Sequence, residues 1–364
     1  MENKILLDLY FKYKTIYEKT GKNKKNMVRV YRKLKKNNIS IPIEKKIPSS
    51  DIPINTILQT TNDEINYIRY PLEEYKLFPI SSFSYSLHKK YSVSIIIPYY
   101  YTPFPIFKKS MLSILNQRNI FFLNIEVILI DDGTQECYTF IEKIPEIKES
   151  SGGFQFKIIV LNQNIGVSDA ISIGIQHSSH DLILRFDADD IMHPDRIGYQ
   201  VYQYEQEKNK NIILFSHFRG FSNSLKPKNY QPRPGILTYQ DIIDDIHDQC
   251  HMWYVCHPSV FFHKKLVKSI YPRNCKGLCE DLILWIYNAS HQIKIISKPS
   301  ILHLYRSNEN NISKKNRTHF KNWKNNFKSI LKTKSREEVK QYLKKKYFSN
   351  ELNDLEYIQE IYKI

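Results

Sequence analysis

From Tyr91 onward the apolar residues gather into short runs that each end in polar ones: "YSVSIIIPYY" (91–100), "NIEVILIDDGT" (124–134), "FKIIVLNQN" (156–164) and "DLILRFDADD" (181–190). The runs are rich in Ile and Val and lack strict alternation, which predicts strands buried on both faces. Between them, Phe107–Gln117 and Val167–His177 carry apolar residues at helical spacing. Strands alternating with helices predict an α/β fold with a largely parallel sheet. Ahead of this pattern, "NKILLDLYFKYKTIYEKT" sets Leu6, Leu9, Tyr10, Tyr13 and Tyr17 at helical spacing, "NMVRVYRKLKKN" predicts a second helix, and "SIPIEKKIPSSDIPIN" reads as a connector. Beyond 304 the helical pattern returns, with Phe320, Trp323, Phe327 and Ile330 in one apolar stripe. Three parts follow: a basic helical extension with its connector over 1–90, an α/β domain over 91–303, and a basic helical extension over 304–364.

Charge sharpens that division. The net charge of +17 suggests a polyanionic partner. Residues 1–90 hold 18 Lys and Arg against 9 Asp and Glu, residues 304–364 hold 15 against 7, and the 91–303 stretch holds 21 of each. A neutral middle speaks against nucleic acid as the partner of the α/β domain. For the flanks two readings stay open: solvated helix faces packed on the core, which is favoured, or a surface that meets an anionic membrane. With 364 residues, 41% of them apolar, the chain can bury a large core. No apolar run approaches the ~20 residues that span a bilayer, and the first residues lack a secretory h-region. Five cysteines, an odd number, do not form a disulfide framework. The expectation is a cytoplasmic protein, with the cytosolic face of a membrane as an alternative site of action.

Candidate chemistry lies just past the strand ends, the edge where α/β sheets bind ligands. Tyr100, Asp131, Asp132, Asn164, Gly166, Asp187 and Asp189 would converge there. Three carboxylates within four positions, Asp187, Asp189 and Asp190, raise the cost of ionising one another and call for a cation. Mg²⁺ or Mn²⁺ on oxygen ligands would supply it; the plainer reading is a solvated turn. Asp131 and Asp132 could accept hydrogen bonds from a nucleobase or ribose, although an Asx turn closed by Gly133 is the stronger reading of each taken singly. Asn164 and Gly166 open a helix, where free N–H groups favour phosphate. Glu280 and Asp281 begin an amphipathic helix, either complementing its dipole or serving as a general base. His257 is expected to pack or hydrogen-bond rather than ligate a metal. Arg306 is either a diphosphate contact or an exposed loop arginine, and His303 is a weak metal-ligand candidate. Cys275 and Cys279, with no second pair, do not make a zinc site.

Taken together and in order, "VSIIIPYYY", "SILNQ", "EVILIDDGT", "NIGVSDAISIGI", "LILRFDADDIMHPDRIGYQ", "HPSVFF", "EDLILW" and "LYRS" resemble the family 2 glycosyltransferases of the GT-A fold. The resemblance runs from Val93 to Ser307. It implies a Rossmann-like, mostly parallel sheet flanked by helices, and an inverting enzyme that moves a sugar from a nucleotide-sugar donor, a UDP- or GDP-sugar, to a glycan, lipid-linked or protein acceptor. It implies further that Pro98, Tyr100, Asp131 and Asp132 line the nucleotide pocket. Asp187 would contact the ribose side, Asp189 would bind the divalent metal, Arg306 the diphosphate, and Asp281 would be the base with Glu280 beside it. On this view the cation that the acidic cluster needs is a borrowed Mn²⁺ or Mg²⁺. The chain departs from the family pattern at Tyr101, at Ala170–Ser172 where an arginine is usual, and at Ser307 and Asn308. The alternatives are a nucleotidyltransferase, or a degenerate platform that binds nucleic acid or membrane through its flanks.

Overall fold

The computed structural model describes residues 69–79, 83, 85–87, 89–120, 122–149, 153–228, 235–248, 255–266, 271, 272, 275, 280–307 and 327–348. The helices expected within residues 3–37, the connector, and Phe320 and Trp323 lie outside the described residues.

In chain order the elements are β1 (Tyr91–Tyr99), α1 (Phe104–Leu115), β2 (Leu123–Asp131), α2 (Cys137–Glu142), α3 (Pro145–Glu149), β3 (Phe154–Val160), α4 (Val167–Gln176), β4 (Leu182–Arg185), β5 (Ile191–Met192), α5 (Arg196–Gln206) and β6 (Ile212–Phe221). They continue with β7 (Pro227–Lys228), β8 (Gly235–Leu237), α6 (Tyr239–Asp248), β9 (Val260–His263), α7 (Glu280–Ser290), β10 (Lys294–Arg306) and α8 (Arg336–Tyr347). All four expected strands and both expected helices between them are present.

The strands form one sheet in the order β3-β2-β1-β4-β9-β6-β10-β5, with β7 beside β6 and β8 beside β10. Strands β3, β2, β1 and β4 are parallel, as their apolar character predicts. The sheet is nevertheless mixed, because β9 runs antiparallel to both β4 and β6. Two reversals restore the direction, so β6 and the parallel β10 end on the same edge as β4. Tyr99 pairs with Asp131 and Asp131 with Val160, which brings these strand ends into line. The turn that leads into β9, His257–Ser259, reaches that edge from the opposite direction.

Side chains alternate across the sheet into two cores. Ile96, Ile128, Ile130 and Ile183 join α4, α6, α7 and α8 on one face. Ile95, Ile97, Val127, Leu129 and Leu184 join α1, α2, α3 and α5 on the other. Gly174 lets α4 approach closely, since a Cβ there would sit 2.7 Å from Ile96 and Ile130 side-chain atoms. At the C-terminal end, Phe327, Leu331, Val339 and Leu343 pack into the α7 side of the core, while Lys344 and Lys345 of α8 are exposed. In this stretch the lysine-rich pattern is the outer face of a docked amphipathic helix.

Candidate functional site

Strand β4 delivers the acidic cluster. Its period of two sends Ile183 to the α7 face and Leu184, Phe186 and Ala188 to the α1 face. The Arg185 guanidinium is 3% exposed and forms an ion pair with Asp187, the carboxylate two residues on. Carboxylate oxygens of Asp187, Asp189 and Asp190 all lie within 4.8 Å of one another.

The three acids are not equivalent. Asp190 is fully buried, and its two oxygens accept from His303 Nε2 at 2.7 Å and from the Arg306 backbone N–H at 2.7 Å. Arg196 Nη1 donates to His303 Nδ1 at 2.9 Å, which fixes the His303 proton on Nε2. Burial, with Arg196 and Arg185 nearby, holds the His303 imidazole neutral, well below its ordinary pKa. Both ring nitrogens are therefore engaged, and His303 has none left for a metal. Asp187 and Asp189 remain. Burial and the adjacent Asp187 push the Asp189 carboxyl up to about 7. A crowded pair of half-buried oxygen donors fits a hard divalent cation, whose charge would relieve that repulsion.

Arg196 organises the strand end from beneath. It is completely buried and donates to Gln200 Oε1 (3.0 Å), the Arg185 carbonyl (2.9 Å), the Pro258 carbonyl (2.8 Å) and His303. The "SILNQ" segment contributes Gln117, which donates to the His193 carbonyl at 2.7 Å and accepts from Ile197 N–H at 2.9 Å, fixing the turn into α5.

Arg306, at the end of β10, reaches the same edge. Its Nε donates to the Asp189 carbonyl at 2.7 Å, Nη1 donates to Asn223 Oδ1 at 3.1 Å, and Nη2 lies 3.6 Å from the buried Glu74 carboxylate. Its guanidinium also sits over the Phe221 ring, 4.5 Å from the centroid. Arg306 is thus 3% exposed and woven into the wall of the cluster, not an exposed loop arginine.

Asp131 and Asp132 shape the neighbouring loops. Asp131 accepts from Thr134 N–H and Oγ1, both at 2.7 Å, and from Cys137 N–H at 3.0 Å. Asp132 accepts from Asn164 Nδ2 (2.7 Å), Ile165 N–H (2.6 Å) and Gly166 N–H (3.0 Å). Burial raises the Asp132 carboxyl, and the Ile165 and Gly166 bonds oppose that rise. Asp131 thus closes its own turn, and Asp132 ties that turn to the loop of Asn164. Gly133, between them, has φ +87°, and a Cβ there would lie 2.4 Å from the Gln163 carbonyl carbon. Pro98 is half-buried within β1, whereas Tyr100 and Tyr101 are 51% and 61% exposed beyond its end, their rings in T-shaped contact at 4.7 Å.

Glu280 and Asp281 open α7 on the Arg185 side of the sheet. Burial and the Asp281 charge push Glu280 up to about 7, and Asp187 adds to the rise. Burial also raises Asp281, opposed by the Leu282 N–H that bonds its Oδ1 at 2.8 Å and by the Arg185 charge. Arg185 therefore lies within electrostatic reach of Asp187 on one side and of Glu280 and Asp281 on the other. Tyr271 and His257 complete the wall, bonded to each other at 3.0 Å, with His257 held neutral by burial and by Arg185. The sequence pattern R-x-D-x-D carries the signal for Arg185, because period-two spacing predicts one face for all three residues. Nothing local announces Arg196, Glu74 or the His303–Asp190 contact.

Residues 94–271 match the family described as "Glycosyl transferase family 2". That segment is a glycosyl transferase family 2 domain. An "Uncharacterized glycosyltransferase" of Haemophilus influenzae is 29% identical over 181 residues, which are 49% of this chain and 62% of that relative. The chain thus spans less than two thirds of the relative's length. Among solved structures, residues 1–349 of S. aureus TarS in complex with UDP share 16% identity over 60% of this chain and 61% of that one, with a TM-score of 0.45. The same protein in complex with UDP-GlcNAc shares 15% over 74% and 70%, TM-score 0.49. The mannosyltransferase PcManGT from Pyrobaculum calidifontis, in complex with GDP-Man and Mn²⁺, shares 12% over 62% and 59%, TM-score 0.44. The glycosyl transferase domain contains the acidic cluster, Arg185, Arg196 and Tyr271; Glu280, Asp281, His303 and Arg306 lie just beyond its matched end.

Proposed function

We propose that the chain is an inverting glycosyltransferase that moves a sugar from a nucleotide-sugar donor, a UDP- or GDP-sugar, to an acceptor hydroxyl on a glycan, lipid or protein. One observation carries the reading: within a glycosyl transferase family 2 chain, a carboxylate pair suited to a divalent cation and a second pair at a helix start share one buried arginine.

In this reading residues 91–303 are the catalytic unit. The exposed Tyr100 ring offers a stacking face for the base, and Pro98 precedes it in the strand end that lines the pocket. The loops held together by Asp131, Asp132 and Asn164 present the Gly166 turn to the donor. Asp187 and Asp189 would hold Mn²⁺ or Mg²⁺, which when bound supplies positive charge to the departing diphosphate. Arg306 fixes the Asp189 backbone and so the aim of its carboxylate. Asp281 takes the proton of the acceptor hydroxyl as that oxygen attacks the anomeric carbon, and Glu280 keeps a second carboxylate beside it. The basic flanks lie outside this chemistry, and a cytoplasmic location at the face of a membrane suits acceptors anchored there.

The test is direct. Purified protein with Mn²⁺ and, in turn, UDP-glucose, UDP-GlcNAc and GDP-mannose is expected to release free nucleoside diphosphate slowly without acceptor, and EDTA is expected to stop it. Asp281→Asn is expected to lower transfer by roughly 10²–10⁴-fold, the usual contribution of a general base, with diphosphate affinity within about threefold of wild type. No turnover and no diphosphate binding with any donor would overturn the reading.

A further inference from the structure

Three buried arginines surround the acidic cluster, and one differs from the others. Arg196 places its N–H groups on four acceptors, and Arg306 bonds the Asp189 carbonyl and Asn223. Arg185 is as deeply buried; its Nη1 pairs with the Asp187 carboxylate, yet its Nε has no hydrogen-bond partner among the described residues. The Asp187 contact engages one end of the guanidinium fork and leaves the Nε edge without an acceptor. Buried donors of a charged group without acceptors are costly and rare in native proteins. Such a donor calls for an acceptor, and a ligand atom that arrives during function supplies one.

The charges around Arg185 restrict what that acceptor can be. Five carboxylates (Asp187, Asp189, Asp190, Glu280 and Asp281) face three guanidiniums (Arg185, Arg196 and Arg306). A ligand carboxylate or phosphate at Arg185 would enter between Asp187 and the Glu280–Asp281 pair and meet like charge on both sides. A hydroxyl oxygen brings lone pairs without charge and has a proton to give to a neighbouring carboxylate. Arg185 also stands between the two ends of the proposed reaction, the cation-suited acids and the proposed base, where the transferred group must pass.

We infer that Arg185 is a specificity-determining residue whose buried guanidinium donates to a hydroxyl of the transferred sugar, selecting uncharged sugars over uronic acids. The inference rests on the donor reading above and deepens it.

Isothermal titration of the full chain in Mn²⁺ tests it, with UDP, UDP-glucose, UDP-GlcNAc, UDP-glucuronate, GDP and GDP-mannose as probes. In the wild type, one uncharged sugar is expected to add about tenfold or more to the affinity of its bare diphosphate, and glucuronate less than twofold. Arg185→Met is expected to erase the sugar's increment, so that nucleotide sugar and bare diphosphate bind with nearly the same affinity, whatever the loss of Asp187's ion-pair partner does to the diphosphate itself. Arg185→Lys, which keeps the cation but not the fork, is expected to lose most of the increment too. Equal weakening of diphosphate and nucleotide sugar in both variants would make Arg185 a structural or metal-side residue and overturn the inference. An unchanged increment, or a preference for glucuronate, would do the same. A wild type that binds bare diphosphate but gains nothing from any sugar would sink this inference alone. A wild type that binds no diphosphate would sink the donor reading with it.

Discussion

At the scale of single residues, the site is defined by how its charges are compensated. Asp190 has a permanent partner in neutral His303 and in a backbone N–H, so it is structural although it sits within the acidic run. Glu280 has weaker relief, from its own backbone N–H and the Arg185 charge. Its carboxyl, at about 7 in the folded chain, keeps a proton that the unfolded chain releases near 4.5. The folded state therefore binds more protons across that window, and ionising Glu280 costs stability that is absent below about 4.5, grows through 7 and is complete above it. Glu280→Gln is accordingly expected to melt higher than wild type at pH 8, with the difference shrinking as pH falls from 7 towards 5. Thermal unfolding at stepped pH measures this, and a constant difference would show that Glu280 is not strained by its charge. The residue scale is also where sequence reading left most alternatives open. Asp131 and Asp132 taken singly read as turn residues, and only the family resemblance made them donor contacts; their oxygens are engaged by Thr134, Cys137, Asn164, Ile165 and Gly166. The choice between a ligand and a loop depends on where distant N–H groups point, which composition does not encode.

Among elements, β1 to β4 were legible because each is an unbroken β-branched run closed by turn residues, and α4 and α7 because their apolar spacing is helical. The antiparallel β9 was not. "VFFH" is four apolar-rich residues with no direction written in them, and its reversal is set by pairing with β6 and β4 over separations of 45 to 81 residues. Strand β6 has meaning only beside β9 and β10 for the same reason. The turn after β2 shows the opposite case, where one residue controls two elements. Gly133 takes a left-handed φ and lies against the 163–164 backbone, so Gly133→Ala incurs both strain and collision. A loss of about 1–3 kcal/mol is expected from the strained backbone, read by urea unfolding, together with faster amide exchange at Ile165 and Gly166. Stability equal to wild type would show that the two loops are free to part.

For the whole molecule, the basic excess and the neutral middle take on physical meaning. Val339 and Leu343 anchor α8 to the core, so its lysines form an outer surface. Among the described residues no helix is long and apolar enough to cross a membrane. The site's negative balance has a global signature of its own. Asp189, pushed up to about 7 by burial and by Asp187, burdens the metal-free fold above that pH. Asp189→Asn is expected to raise the melting temperature at pH 8 without metal, while abolishing the rise that Mn²⁺ gives the wild type by binding the native state. If Mn²⁺ stabilises both proteins equally, the ion binds elsewhere.

The link from Asp190 to His303 and the Arg306 backbone joins positions 113 and 116 residues apart in the chain. During vectorial synthesis the ribosome must therefore extrude β10 before the acidic turn gains its permanent partners. A nascent chain halted ahead of residue 303 holds most of its sheet but leaves Asp190 without either donor. Maturation of the cluster is thus a late event, and contacts so distant in sequence slow folding. Chaperone dependence is expected to concentrate in the interval between emergence of β4 and arrival of β10.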